Sequence, residues 1–276
     1  MNNTTLTFIG GGNMACSLIG GLIADGWDPA RIRVADTSTR RLQQLSERFP
    51  ITTTTSNSDA ADHTDVIVLA VKPQIIKPVA QELASIVSQQ QPLVISIAAG
   101  IPASALGNWL GKSAAIVRTM PNTPAMVQSG ATALYANAGV SEDQRSTAES
   151  ILRAVGIAIW VEDEAQMDAV TALSGSGPAY FFLFMEALQA AGQELGLPEN
   201  TAQLLALQTA FGAAKIALES NEDAATLRRQ VTSPGGTTEH AIRTFQEGGF
   251  EALVSKALLA AANRSRELAA EFGNES

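Results

Sequence analysis

Over the first 160 residues, short β-branched and apolar runs alternate with stretches whose apolar positions recur every three or four residues. Thr5–Ile9, Ile32–Ala35, Val66–Val71, Leu93–Ala98, Ala115–Thr119, Ala131–Tyr135 and Ile157–Val161 read as strands. Asn13–Ala24, Thr39–Phe49, Ile75–Ser88 and Glu142–Val155 carry helical spacing between them. This alternation predicts βαβ units and a mostly parallel sheet covered on both faces. Beyond Glu164 the strand signal stops. Pro178–Leu195, Glu199–Glu219, Ala224–Val231, Thr238–Glu247 and Glu251–Phe272 then read as helices, with Pro178 and Pro198 where first turns tolerate proline. The expected organisation is an α/β domain over residues 1–163 and an all-helical domain over 164–276.

The helical part is rich in small residues. Ala202, Ala206, Ala210, Gly212, Ala213, Ala214 and Ala217 fall on one helix, and Tyr180–Phe184 is aromatic at four of its five positions. Helices apolar nearly all round must be buried on several sides, within their own domain or in a subunit interface. The reading leans towards a dimer.

Composition removes several function classes. The chain carries 18 Lys and Arg against 27 Asp and Glu, a formal net charge of −9. That balance argues against nucleic acid and against an anionic membrane surface. A single cysteine, Cys16, excludes a disulfide framework and a cysteine-based zinc cluster; inside the first helix it reads as a small core residue. His63 and His240 are far apart, so no local metal motif is expected. Asp59, Asp62 and Asp65 read as solvated. No targeting or membrane-spanning segment is read, and a cytoplasmic location is expected.

The most informative local pattern is Phe8-Ile-Gly-Gly-Gly-Asn-Met-Ala15, which sets Gly10, Gly12 and Ala15 in G-x-G-x-x-A order between a predicted strand and a predicted helix. The first glycine allows the tight turn, the second the approach of a pyrophosphate, and the alanine close helix–strand packing. The helix start supplies unpaired N–H donors and partial positive charge to an anion. The second strand ends at Asp36, a position that often accepts the ribose hydroxyls of NAD. Yet Thr37, Ser38, Arg40 and Arg41 follow at once and suit a 2′-phosphate. Both nicotinamide cofactors, NADPH and NADH, stay open.

Five segments together resemble pyrroline-5-carboxylate reductase, the last enzyme of proline synthesis. They are Phe8–Met14; Ala70-Val-Lys-Pro73 with Ser96-Ile-Ala-Ala-Gly100; Met120-Pro-Asn-Thr-Pro124; Leu173-Ser-Gly-Ser-Gly-Pro-Ala-Tyr180; and Thr232-Ser-Pro-Gly-Gly-Thr-Thr238. The resemblance implies a Rossmann-type dinucleotide-binding domain followed by a helical dimerisation domain. It also implies interlocked homodimers, with rings of dimers such as decamers. The implied active site lies between the nicotinamide of one subunit and the Ser-Pro-Gly-Gly-Thr-Thr loop, with helices from the partner. By the same resemblance Gly10, Gly11, Gly12, Asn13, Met14 and Ala15 hold the pyrophosphate, and Asp36 with Arg40 the adenosine ribose. Asn57, Ala70, Val71, Lys72 and Pro73 contact the nucleotide further along the edge, while Ala98, Ala99 and the Pro121–Asn122 turn flank the nicotinamide. Glu164, Ser233, Gly235, Gly236, Thr237 and Thr238 address the substrate. Gln230 departs from the asparagine frequent in relatives, which leaves a cofactor contact there in doubt.

The implied reaction is hydride transfer from NAD(P)H to the imine carbon of Δ1-pyrroline-5-carboxylate, giving L-proline. The imine nitrogen is basic enough to be protonated by solution, so orientation is the main task and no strong general acid is required. Thr238 is the residue expected at the ring nitrogen. The loop also fits a plain helix connection with Thr237 or Thr238 as cap, and Glu164 also fits a surface carboxylate. Two alternatives stand beside this reading. A β-hydroxyacid reductase needs a catalytic lysine, for which Lys215 is available. A non-catalytic nucleotide sensor would keep the fold alone.

Overall fold

The computed structural model describes residues 4–273. Eight strands form one sheet in the order β3-β2-β1-β4-β5-β6-β7-β8. They are β1 (Leu6–Ile9), β2 (Ile32–Ala35), β3 (Thr52–Thr54), β4 (Val66–Leu69), β5 (Leu93–Ser96), β6 (Ala115–Met120), β7 (Gly130–Ala136) and β8 (Gly156–Trp160). Leu6 is in register with Ile32 on one side and Val66 on the other, and the parallel run continues from β4 through β5 to β6. β1, β4 and β5 are buried at every position, as central parallel strands with both faces covered must be.

Strand alternation divides the core in two. Phe8, Val66 and Val68 point to one face, where they pack with Leu18 and Ile19 of α1 (Asn13–Ala24) and Ile151 of α6 (Glu142–Arg153). Cys16 packs at the margin of this cluster, partly buried. Ile9, Ile67 and Leu69 point to the other face, against Ile76 and Leu83 of α4 (Pro73–Gln90) and Leu106 of α5 (Ala103–Leu110). α2 (Thr39–Arg48) begins at Ser38, whose hydroxyl accepts the Arg41 N–H; α3 (Asn57–Ala61) begins at Ser56, which caps Asp59 in the same way.

The structure departs from the sequence expectation in identifiable places. Thr52–Thr54, outside every strand expected from the sequence, is the edge strand β3; its β-branched side chains suit a strand, but no hydrophobic alternation announces it. β7 runs antiparallel to β6, because Pro121–Ser129 is too short for the crossover a parallel pair needs. β8 is not covered on both faces: Ile157 and Ile159 are each 55% exposed.

Beyond β8, α7 (Gln166–Val170) runs into a single π-type turn, Thr171–Gly175. The remainder is helical: α8 (Gly177–Glu194), α9 (Glu199–Glu219), α10 (Ala224–Gln230), α11 (Thr237–Glu247) and α12 (Phe250–Gly273). Gly192 lets α8 approach α9, since a Cβ there would lie 3.2 Å from that of Ala202. Phe184, Phe245 and Phe250 form a ring cluster with centroids 5.7–6.5 Å apart. Phe181, Phe182, Leu204, Phe211 and Leu253 are instead exposed. Among the described residues no helix is long and apolar enough to cross a membrane.

The chain separates into two compact units, one holding residues up to Ser176 together with the stretch from Ala261 onward, the other Gly177–Ala260. The first unit therefore takes in residues 164–176 and the last part of α12, for a local reason. Met167 is buried in the first unit, Ser265 donates to Asp168 at 2.6 Å, and Phe272 packs at the margin of the second core cluster.

Gly21 lies where α1 meets the turn before β8: a Cβ there would collide with the Ala154 carbonyl and stand 2.7 Å from Val155 Cγ1. Gly107 in α5 has only Ile116 Cδ1 nearby, at 3.9 Å. Gly21→Ala is therefore expected to cost about 1–3 kcal/mol through overpacking. Gly107→Ala should hold or gain up to about 1 kcal/mol from helix propensity. Urea unfolding of the two variants checks the pair.

Candidate active site

Each parallel strand from β3 to β6 delivers a chain segment to the same, carboxyl edge of the sheet. The segments after β1 and β4, the two central strands whose connections run in opposite directions, meet there, and such a switch point is where doubly wound sheets bind ligands. After β1 the chain turns at Gly10, whose φ of +102° a side chain would strain and whose Cβ would stand 2.5 Å from the Ala70 carbonyl oxygen. The glycine thus allows the turn to lie against the end of β4. Gly12 is different. It has ordinary backbone angles, and nothing lies within 4 Å of where its Cβ would be. It is the N-cap of α1 and no side chain caps that helix, so the first-turn N–H groups at Asn13, Met14 and Ala15 face an open approach. Ala15 itself is fully buried beneath the turn.

Asp36, after β2, is 8% exposed. Its Oδ2 accepts the Gly11 N–H and a guanidinium N–H of Arg41, both at 2.8 Å, and its Oδ1 accepts the Ser38 N–H at 2.8 Å. Burial alone would raise the carboxyl pKa; the Gly11 and Ser38 amides and the Arg41 guanidinium outweigh it and hold the group below the usual carboxylate range. Arg41 also packs on the turn, with its Cδ 3.5 Å from the position a Gly11 Cβ would take. Sequence reasoning set Arg40 beside Asp36. The structure brings Arg41 there, while Arg40 is exposed on the preceding helical position.

The remaining expected residues line the same edge. Asn57 opens α3, and its amide donates to Glu82 Oε2 at 2.9 Å. Ala70 and Val71 leave β4, Lys72 is the exposed N-cap of α4, and Pro73 takes the first helical position. After β5, Ala98 is buried and Ala99 exposed. Asn122, after β6, donates to the Ser174 carbonyl at 3.2 Å and accepts the Ala131 N–H at 2.9 Å. The amide thereby ties the Met120–Pro124 segment to the π-type turn; π-type turns occur often at functional sites.

Glu164 sits in this unit too. Its Oε1 accepts the Ala103 N–H at 2.7 Å and a guanidinium N–H of Arg118 at 2.9 Å. Arg118 is 5% exposed and was missed in the sequence reading. The available signal was a lone arginine inside an apolar strand, which burial obliges to find a carboxylate.

The second candidate segment lies in the helical unit. Ser233–Gly236 is a type II turn: the Gly236 N–H donates to the Ser233 carbonyl at 3.0 Å, Pro234 takes the second position and Gly235, with φ +70°, the third. Gly236 is the N-cap of α11, and no side chain caps that helix. Glu239 reaches back to accept the Gly235 N–H at 2.7 Å. Thr237 and Thr238 are therefore the first two helical residues, with their N–H groups at an uncapped, positively polarised terminus. His240 is exposed, and its Nδ1 lies 2.8 Å from Arg243 Nη2. Lys215, which a β-hydroxyacid reductase would require, is exposed and 3.8 Å from Glu219.

Comparison with known proteins bears on the whole chain. Residues 164–268 match the model for pyrroline-5-carboxylate reductase dimerisation, and residues 5–100 the model for NADP oxidoreductase, coenzyme F420-dependent. The pyrroline-5-carboxylate reductase of Pseudomonas aeruginosa is 54% identical over 273 residues, covering 99% of this chain and all of that protein. A solved pyrroline-5-carboxylate reductase from Coxiella burnetii superposes with a TM-score of 0.94 at 52% identity, covering 97% of this chain and 99% of the other. The pyrroline carboxylate reductase of Plasmodium falciparum, solved with NADP bound, gives 0.86 at 30% identity, covering 98% and 99%. With this likeness extending across both the glycine turn and the Ser-Pro-Gly-Gly-Thr-Thr segment, the chain belongs to the pyrroline-5-carboxylate reductase family.

Proposed function

We propose that the chain reduces Δ1-pyrroline-5-carboxylate to L-proline with NADPH or NADH, the closing step of proline biosynthesis in the cytoplasm. The observation that carries this reading is the pair of uncapped helix starts, α1 behind Gly12 and α11 behind Gly236, each preceded by a glycine turn. One suits a dinucleotide diphosphate and the other a substrate carboxylate.

The residues present fit a dinucleotide. Gly10 brings the turn against β4, Gly12 leaves room over α1, and the N–H groups of Asn13, Met14 and Ala15, met by no side-chain cap, suit an anion. Gly11, Asp36 and Arg40 belong to the adenosine side, Asn57 and Ala70–Pro73 to the middle, and Ala98, Ala99 and Asn122 to the nicotinamide side. When bound, the nicotinamide supplies the hydride. In the proposal Ser233 and Thr237 take the substrate carboxylate on hydroxyl and backbone donors, while Gly235 and Gly236, whose N–H groups are held by Glu239 and the Ser233 carbonyl, shape the turn that admits it; this costs an acidic protein no additional cation. Thr238 holds the ring nitrogen through its hydroxyl, accepting from the iminium before transfer and donating to the secondary amine after it. Ala103 and Arg118 both meet Glu164 through Oε1, so Oε2 is the atom left to face the substrate. No side chain in this scheme has to deliver a proton.

We also propose that the chain functions as a homodimer, with rings of dimers as a further level. The support is the apolar surface of the helical unit, where Phe181, Phe182, Leu204, Phe211 and Leu253 are each more than 60% exposed. A surface of that kind marks an interface.

Three measurements test these roles. Thr238→Ala should lower kcat/KM for the imine by about 10–100-fold, the worth of a hydrogen bond to a charged group, with the Kd for NADPH unchanged; equal loss of both would make the loop structural. Gly12→Ala should keep its melting temperature within about 2 °C, since the added methyl meets nothing. Its dinucleotide Kd should nevertheless rise at least about tenfold, because the methyl occupies the anion's approach. Phe211→Glu should shift the mass found by light scattering from that of a dimer or larger towards that of one chain; an unchanged mass would place the interface elsewhere.

A further inference from the structure

We infer that Asp36 is a positioning residue that clamps Arg41 against the glycine turn, and that Arg41 thereby reads the 2′ position of the adenosine ribose as a phosphate. The inference rests on the dinucleotide-dependent reading above.

The carboxylate at the end of β2 is already committed. It receives three hydrogen bonds of 2.8 Å, from Gly11, Ser38 and Arg41, and is 8% exposed. A ribose diol would have to compete with these donors for the same two oxygens. Here Oδ2 is shared between the glycine turn and a guanidinium, and Oδ1 holds the start of α2. Asp36 therefore joins the turn after β1 to the helix after β2, the two segments that would bracket the ribose.

Arg41 changes the electrostatics of the same place. Its guanidinium offsets the one buried negative charge that would repel a phosphate. One terminal nitrogen is spent on Asp36, yet the side chain is 49% exposed, and the fork carries five N–H donors. Its stem cannot swing away freely, because it packs beside Gly11. The cation is held beside the turn with half of its side chain exposed, an arrangement suited to a dianion. Thr37, Thr39 and Arg40 are exposed alongside it.

The test compares wild type with Arg41→Gln, which keeps a donor for Asp36 while removing the charge, and with Asp36→Ala. Dissociation constants for NADPH and NADH come from nucleotide fluorescence, and kcat and KM from initial rates with Δ1-pyrroline-5-carboxylate. The wild type should bind NADPH more tightly than NADH. Arg41→Gln should weaken NADPH by about 10–100-fold, the range of a charge-assisted bond to phosphate, with a far smaller effect on NADH. Asp36→Ala should raise the KM for NADPH more than that for NADH and leave kcat near wild type, as loss of a clamp on the phosphate-reading arginine would. A loss confined to NADH in Asp36→Ala would make that carboxylate a ribose acceptor and overturn the inference. Equal NADPH and NADH affinities in wild type, or Arg41→Gln weakening both alike, would also overturn it; because Arg41 is exposed, this arm holds even if Asp36→Ala does not fold. Tighter binding of NADPH without turnover of the imine would sustain the inference and defeat the proposed reaction.

Discussion

The turn from β1 into α1 is the constraint on which the carboxyl edge of the sheet depends. Its first glycine lies so near the Ala70 carbonyl that no Cβ fits, and its second is pinned by Asp36 while Leu45 and Val34 crowd it from below. Only the third opens outward. Burial of Phe8 and Ala15 on either side fixes where the strand ends and the helix begins. The polar donors at the top of α1 are therefore left without partners by packing beneath them. A site made in this way is rigid because the core is dense, and the core is dense because β1 is buried on both faces.

In the proposed reaction the chain meets two anions while carrying a net charge of −9. Helix starts resolve that conflict. Their field is short in range, arises from backbone that must be present anyway, and does not require a basic surface. α1 and α11 share the device: a glycine N-cap in extended conformation with no side-chain cap, where a serine would have satisfied the donors internally. α2, α3 and α6 do have serine caps, from Ser38, Ser56 and Ser141, so backbone donors there are met internally and the contacts proposed at Asn57, Arg40 and Arg41 come from side chains. The contrast separates starts built for stability from starts left open.

Much of this was legible in the sequence. Ile32–Ala35, Asn13–Ala24 and Glu199–Glu219 coincide with their predicted bounds, and the other long helices and apolar strands lie within a few residues. Signals that rest on burial periodicity or on glycine geometry survive translation into three dimensions. The failures share a weak local signal: β3 and α3 are short and polar, α5 is a two-turn helix rich in small residues, and the direction of β7 depends on loop length rather than on its own residues. Partner choice was the least legible. Nothing in Arg40-Arg41 says which arginine turns towards Asp36, because that depends on the phase of α2 relative to the glycine turn. Likewise Glu164 could not be joined to Arg118 until β6 and α5 were placed beside each other.

The shared bond between Asp36, Gly11 and Arg41 also bears on how such a protein diverges. Exchanging Arg41 for an apolar residue strips a buried carboxylate of its counter-charge in the same step that alters the rim of the site. Selection on nucleotide choice is thereby coupled to selection on folding. Drift at this pair is epistatic: the tolerated neighbours of the present sequence are those that change both residues or neither, so the acid and the arginine should be inherited together.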